Sequence, residues 1–156
     1  MSVTPPRATG EPDVDENAGW IVARSAGTGF RTELHLGGFD LVSDEPANVG
    51  GSGDGPTPYE LLLAALGSCT AMTVRMYSDR KKWPLESVVV RLRNTPAHIK
   101  DCLTCETSEV GPRRIDEVIE LHGDLSAEQR ERLKQIANRC PVKQTLARGI
   151  QIRTVE

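Results

Sequence analysis

The sequence predicts an α+β protein with mostly antiparallel strand pairing. Three observations carry that prediction. Short alternating apolar runs precede residue 43 and return between residues 88 and 121; the stretch from Thr57 to Lys82 reads as one long helix; and a second helical stripe follows Ser126. With 156 residues, the chain is long enough to bury a core, and residues 20–156 are expected to form a single domain.

Residues 1–19 carry several prolines and acids without apolar periodicity, which predicts a disordered or loosely attached N-terminal arm. Trp20 to Ser25 alternates as a strand does. Gly27 and Gly29 supply a turn, and Phe30 to Leu36, Gly37-Gly38 and Phe39 to Val42 read as a hairpin. The stretch from Ser43 to Pro56 contains Gly50, Gly51, Gly53 and Gly55 and is expected to be a flexible approach to the long helix. Thr57, Pro58 and Glu60 stand in the order of a capping box with proline at the first helical position.

From Leu61 to Val74 the side chains are apolar or small on every face, the pattern of a buried central helix. Arg80, Lys81 and Lys82 suit its negative end, and Pro84 stops it. Val88 to Leu92 and Ile115 to Leu121 then predict two strands pairing around the 94–114 loop. Ser126 and Gln129 form a second capping box, and Leu133, Ile136, Ala137 and Cys140 share one stripe of the helix that follows. Pro141 breaks that helix and permits a new first turn, which carries Val142 and Leu146 to a stop at Gly149. Ile150 to Val155 is expected as a last strand.

A helix apolar all round needs cover on every side, more than one sheet of five or six strands and a shorter helix supply. A homodimer whose interface includes Leu61 to Val74 is therefore expected. The net charge of -3 and the 4% aromatic content argue against a nucleic-acid surface. A bilayer span is not expected either, since the longest apolar run is about 14 residues where roughly 20 are needed. The N-terminus lacks the basic-then-apolar order of a secretory signal, which leaves a cytoplasmic location as the expectation.

The 4 cysteines are too few for a stapled secreted scaffold; in a reducing compartment they are catalytic, metal-binding or buried. Cys69 and Cys140 lie on apolar stripes of the two main helices. Packing those helices together would bring the thiols near enough to cycle between dithiol and disulfide, while each cysteine alone also fits as core filler. His98, Asp101, Cys102 and Cys105 include a C-x-x-C pair that could grip zinc or form a labile second disulfide, or could simply occupy a loop. His35 and His122 are placed in strands without an acid or thiol at useful spacing, and are read as structural. The glycines at 50–55 do not follow a strand and lack the lysine of a phosphate-binding loop.

GPTPYELLLAALGSCTAMTVRMY, followed after two strands by NRCPVKQTL, resembles the OsmC/Ohr family of thiol-dependent hydroperoxide reductases, specifically at the two cysteine motifs and loosely from Trp20 to Glu156. The resemblance implies an OsmC-like fold, an intertwined homodimer, and reduction of organic hydroperoxides, with hydrogen peroxide a poorer substrate. It implies that Cys69 attacks the peroxide and becomes a sulfenic acid, that Cys140 resolves it as a disulfide, and that an external dithiol or lipoyl-type reductant restores the thiols. No resident cofactor or metal is implied.

The family's activating arginine matches Arg31 best, with Arg24 as second choice. Its glutamate stands ten residues before the first cysteine, where this chain has Tyr59; Glu60 stands at nine. Nine residues of helix rise about 13 Å, so Glu60 could act only from an unwound first turn or across a dimer, and its capping role explains it without catalysis. Besides the enzyme, a non-enzymatic OsmC-like module that binds a small apolar ligand or senses oxidants through the same cysteines fits these residues.

Overall fold

The computed structural model describes residues 19–94 and 114–155. The expected N-terminal arm, apart from Gly19, lies outside them, as do His98, Asp101, Cys102 and Cys105. The chain divides into two compact units, Met1–Pro58 and Tyr59–Glu156, and each is taken by itself.

In the first unit, β1 (Ile21–Ser25), β2 (Thr32–Leu36) and β3 (Phe39–Ser43) form an antiparallel sheet in that order. Leu36 lies opposite both Ile21 and Phe39. Gly37 and Gly38 turn the hairpin with φ values of 57° and 97°, a left-handed pair that glycine adopts without cost. The sheet leaves Trp20, Ile21, Phe39 and Leu41 exposed.

The glycine-rich stretch after β3 is not the flexible approach expected from its composition. Asp44, only 1% exposed, accepts backbone N–H groups from Glu45 at 2.8 Å, Ser52 at 2.9 Å and Asp54 at 3.2 Å. A short 3-10 helix, Ala47–Val49, spans the loop so formed. The Ser43 hydroxyl and the Asp44 N–H both reach Pro56 O, at 2.9 and 3.2 Å. Gly51 is required by packing: a Cβ there would stand 1.8 Å from Glu45 O. A buried carboxylate collecting several donors fixes what glycine content alone would leave loose.

The second unit begins its helix α1 (Pro58–Lys81) at the expected proline. Strands β4 (Leu85–Asn94) and β5 (Ile115–Gly123) follow, then α2 (Ala127–Ala137) and α3 (Pro141–Arg148). β4 and β5 pair antiparallel as a separate two-stranded sheet, with Val88 opposite Leu121 and Val90 opposite Ile119. One sheet of five or six strands was expected; instead each group of strands bonds within its own stretch of chain. The expected last strand is also not formed. Residues 149–155 make no ladder, and Ile150 and Ile152 are exposed, because an alternating segment without a neighbouring strand has nothing to bond.

The capping box at Ser126 is present: Ser126 Oγ accepts Gln129 N–H at 3.1 Å and Gln129 Oε1 accepts Ser126 N–H at 2.9 Å. The core joins Val74 of α1, Leu85 of β4, Leu121 of β5, Leu125, and Leu133 and Ala137 of α2, with Tyr77, Trp83, Val88 and Ile119 packed against it.

Within one chain α1 is not buried all round. Leu66, Thr70, Val74 and Ser78, four residues apart, form its one buried stripe, while Met72 is 69% and Met76 58% exposed. Its composition is apolar on every side, but one pair of strands and two short helices cover one side only. By length and composition alone α1 would also be apolar enough to cross a membrane, and only 22% of its most apolar window is buried.

Candidate functional site

Cys69 lies half-buried on α1, one residue before the core-facing Thr70. Cys140 has no exposed surface. It lies beyond the end of α2, not on its stripe: α2 stops at Ala137, and Cys140 is the N-cap of α3, with Pro141 at the first helical position. Proline there has no N–H to lose and presets the helical φ, so the break that the sequence places at Pro141 is what turns the thiol inward.

The two thiols are free, and each shifts the ionisation of the other. The helix start supplies a donor: Cys140 Sγ accepts Lys143 N–H at 3.5 Å. Burial pushes the Cys69 thiol up, and the neighbouring Cys140 adds to that. Burial pushes Cys140 up as well, but the neighbouring Cys69 and the Lys143 N–H on its sulfur, with the other polar groups around it, outweigh burial and hold Cys140 below the usual thiol range.

A part-buried charge pair lies near Cys140 and was not anticipated. Lys143 Nζ meets Glu117 Oε2 at 2.5 Å with the side chains 22% and 18% exposed. Glu117 Oε1 in turn lies 3.5 Å from Thr70 Oγ1, and Lys143 also reaches Asn138 Oδ1 at 3.4 Å. The contacts Thr70–Glu117–Lys143 thus link α1, β5 and α3. Their sequence signal was faint: an acid on the wet-and-dry alternation of β5, and a lysine three residues after the C-P step.

The remaining predicted residues fall elsewhere. Arg31 belongs to the first unit, where its guanidinium bonds Glu33 at 2.9 Å and lies 3.8 Å from Asp54, about half exposed. Arg24 is opposite Glu33 across the β1–β2 pair. Tyr59 and Glu60 occupy the first turn of α1, which is helical from Pro58, so no unwound turn carries Glu60 toward its own chain's Cys69. His35 and His122 are not without acids: His35 Nδ1 lies 2.6 Å from Asp40 Oδ1, directly opposite across the hairpin, and His122 lies 4.0 Å from Glu120. Register pairs His35 with Asp40, which sequence spacing leaves apart, whereas His122 and Glu120 lie on the same face of β5. Among the described residues no group of three or more His, Cys, Asp or Glu could hold a metal ion.

Away from the thiols, Leu63, Ala64, Gly67, Ser68 and Ala71 on another face of α1 and Val90 and Leu92 of β4 line an open, mostly apolar groove of about 410 Å³, which neither Cys69 nor Cys140 lines. The α+β fold thus carries two free thiols, one on a long helix and one at a C-P helix start. The family model for OsmC-like proteins matches residues 51–155, and the chain belongs to that family.

Solved structures agree on the fold. An OsmC-like protein from Mycoplasma pneumoniae is 21% identical, with 75% of this chain and 79% of that one covered and a TM-score of 0.61. An organic hydroperoxide resistance protein from Legionella pneumophila is 22% identical over 81% and 88%, with a TM-score of 0.59. An OsmC-like protein of unknown function from Vibrio cholerae is 15% identical over 93% and 94%, at 0.55. No curated protein matches the sequence.

Proposed function

We propose that the protein is a thiol-dependent peroxidase that reduces organic hydroperoxides through Cys69 and Cys140. The observation that carries this is the pair of free thiols, Cys69 half-buried on α1 and Cys140 buried at the start of α3, each shifting the other's ionisation. Cys69, the more accessible of the two, attacks the distal peroxide oxygen, the O–O bond breaks, an alcohol leaves, and Cys69 becomes a sulfenic acid. Cys140 displaces water from it to give a disulfide, and an external dithiol, lipoyl-type or otherwise, restores both thiols. Organic hydroperoxides are taken as the better substrate, and hydrogen peroxide as the poorer, on the strength of the family resemblance. The name of the Legionella relative is consistent with this chemistry.

The working form is a homodimer in a reducing compartment such as the cytoplasm, with a second copy covering the exposed face of α1. Arg31 is kept as the activating cation only on the strength of the family resemblance, and Glu60 only across such a dimer.

Turnover of cumene hydroperoxide with a dithiol reductant tests the proposal. The wild type is expected to turn over, and Cys69→Ser to lose all of it. Absence of thiol-dependent turnover in the wild type would leave binding of a small apolar ligand, or oxidant sensing through the same cysteines, as the function.

A further inference from the structure

We propose that the ion pair between Glu117 and Lys143 positions the resolving thiol: it fixes the start of α3, and with it the Cys140 sulfur, against the turn of α1 that carries Cys69. The inference deepens the peroxide-reduction reading above and rests on it for the step it serves. Lys143 touches Cys140 and the sheet at once. Its backbone N–H is 3.5 Å from Cys140 Sγ, and its Nζ is 2.5 Å from Glu117 Oε2 of β5. The other oxygen of the same carboxylate, Oε1, lies 3.5 Å from Thr70 Oγ1, and Thr70 is the residue after Cys69. One carboxylate therefore brackets the chain neighbour of the first thiol and the residue whose N–H holds the second.

Such an anchor is needed because α3 has little else to hold it. The helix is 8 residues long and buries none of them, so neither intrinsic helix stability nor core packing fixes it. Among the described residues its other side-chain bonds, Lys143 Nζ to Asn138 Oδ1 at 3.4 Å and Gln144 Nε2 to Asn138 O at 2.6 Å, return to the C-cap of α2 and close that corner only. Glu117 shares its face of β5 with Ile119 and Leu121, and Leu121 is part of the core. An acid on that face loses hydration that its partner offsets only in a well-fixed geometry. The pair therefore adds little over apolar residues of the same volume, but unlike them it sets a direction.

The anchored group acts in the second chemical step. Once Cys69 is a sulfenic acid, the Cys140 sulfur attacks the Cys69 sulfur; the S–S bond forms, the S–O bond breaks, and the hydroxide released takes the Cys140 proton and leaves as water. Both sulfurs belong to one chain, so the rate depends on how well the second is held in line with the first. Cys140 has no exposed surface, and an outside reagent meets it only when the start of α3 opens. Replacing the Lys143 side chain leaves the backbone N–H on the sulfur and so removes the anchor alone.

Two readouts decide it, in Lys143→Met, Glu117→Gln and Lys143→Arg, each checked for fold by circular dichroism. Alkylation of Cys140 by iodoacetamide, followed by mass spectrometry in a Cys69→Ser background, needs no peroxidase activity. Lys143→Met and Glu117→Gln are expected to raise its rate by about tenfold or more, since nothing then opposes local opening, and Lys143→Arg to stay within about twofold of the wild type. Single-turnover oxidation by cumene hydroperoxide separates the two chemical steps. The Cys69 sulfenic acid is expected to form at the wild-type rate in all three variants, while disulfide closure slows by about tenfold or more in Lys143→Met and Glu117→Gln only. Leu85→Ala, which empties a core position opposite Gly123 and away from the Glu117–Leu92 rung of the same ladder, is expected to alter neither step. Closure at the wild-type rate in Lys143→Met and Glu117→Gln, or slowed as much in Leu85→Ala, overturns the inference; should Lys143→Met fail to fold, Glu117→Gln carries both readouts. A wild type inert to peroxide overturns the peroxidase assignment instead. Alkylation then decides alone, and unchanged rates at Cys140 remove the anchor as well.

Discussion

At the residue scale, the ion pair between Glu117 and Lys143 is the group most exposed to a single substitution. Both side chains are about one-fifth exposed, so cutting one partner strands a charge that water reaches only in part. Lys143→Met is expected to cost about 2–3 kcal/mol in urea denaturation, somewhat below the 3–5 typical of fully enclosed pairs. The double variant Glu117→Gln, Lys143→Met should recover much of that loss, and simple addition of the two single effects would show that the pair is not coupled. Neither residue could be chosen from the sequence. Glu117 looks like any acid on the wet face of a strand, and Lys143 like any lysine on a short helix, until the α3 start is folded over β5.

At the scale of elements, the loop around Asp44 and the short helix α2 carry opposite lessons. Asp44 is buried among backbone donors that hold its carboxyl below the usual carboxylate range. A depressed folded value means that its contribution is fully present above the unfolded value of about 3.9 and is lost as pH falls through the lower folded value. Acid titration of the melting temperature should therefore show a drop in the wild type that Asp44→Asn lacks; parallel curves for the two would remove Asp44 from the acid response. The glycines of that loop announced a turn but not the carboxylate it turns around, because hydrogen-bond closure over eight residues, from Ser52 N–H to Asp44 Oδ2, leaves no periodic trace. By contrast α2 was legible nearly to the residue. A capping box and an apolar stripe are local signals, and Leu133 faces the core as its spacing requires. Leu133→Ala, at a site with no exposed surface, is expected to cost about 2–5 kcal/mol by denaturant unfolding, and a cost under about 1 would mean that the surrounding core collapses into the gap.

At the scale of the whole molecule, what most needs explaining is apolar surface left uncovered. Met72 and Met76 on α1, Phe39 and Trp20 in the first unit, and Ile150 and Ile152 at the C-terminal end are all exposed, more than singly scattered surface residues would account for. Sedimentation equilibrium is expected to give a dimer, and Met72→Glu together with Met76→Glu to weaken it by at least tenfold while the core stays folded. A monomer at micromolar concentration, or a protein that partitions into lipid vesicles instead, would discard the proposed second copy.

The sequence by itself determined the α+β class, the start of α1 at Pro58, the capped α2, the break at Pro141 and the two thiols, since each is written in local spacing and side-chain chemistry that need no distant partner. Tertiary structure alone decided that the strands form two sheets, that Asp44 closes the glycine loop, that Cys140 caps a helix instead of lining one, and that Thr70, Glu117 and Lys143 gather beside it. Those features depend on which stretches of chain come to lie against each other, and contacts between residues far apart in sequence leave no period or motif to read.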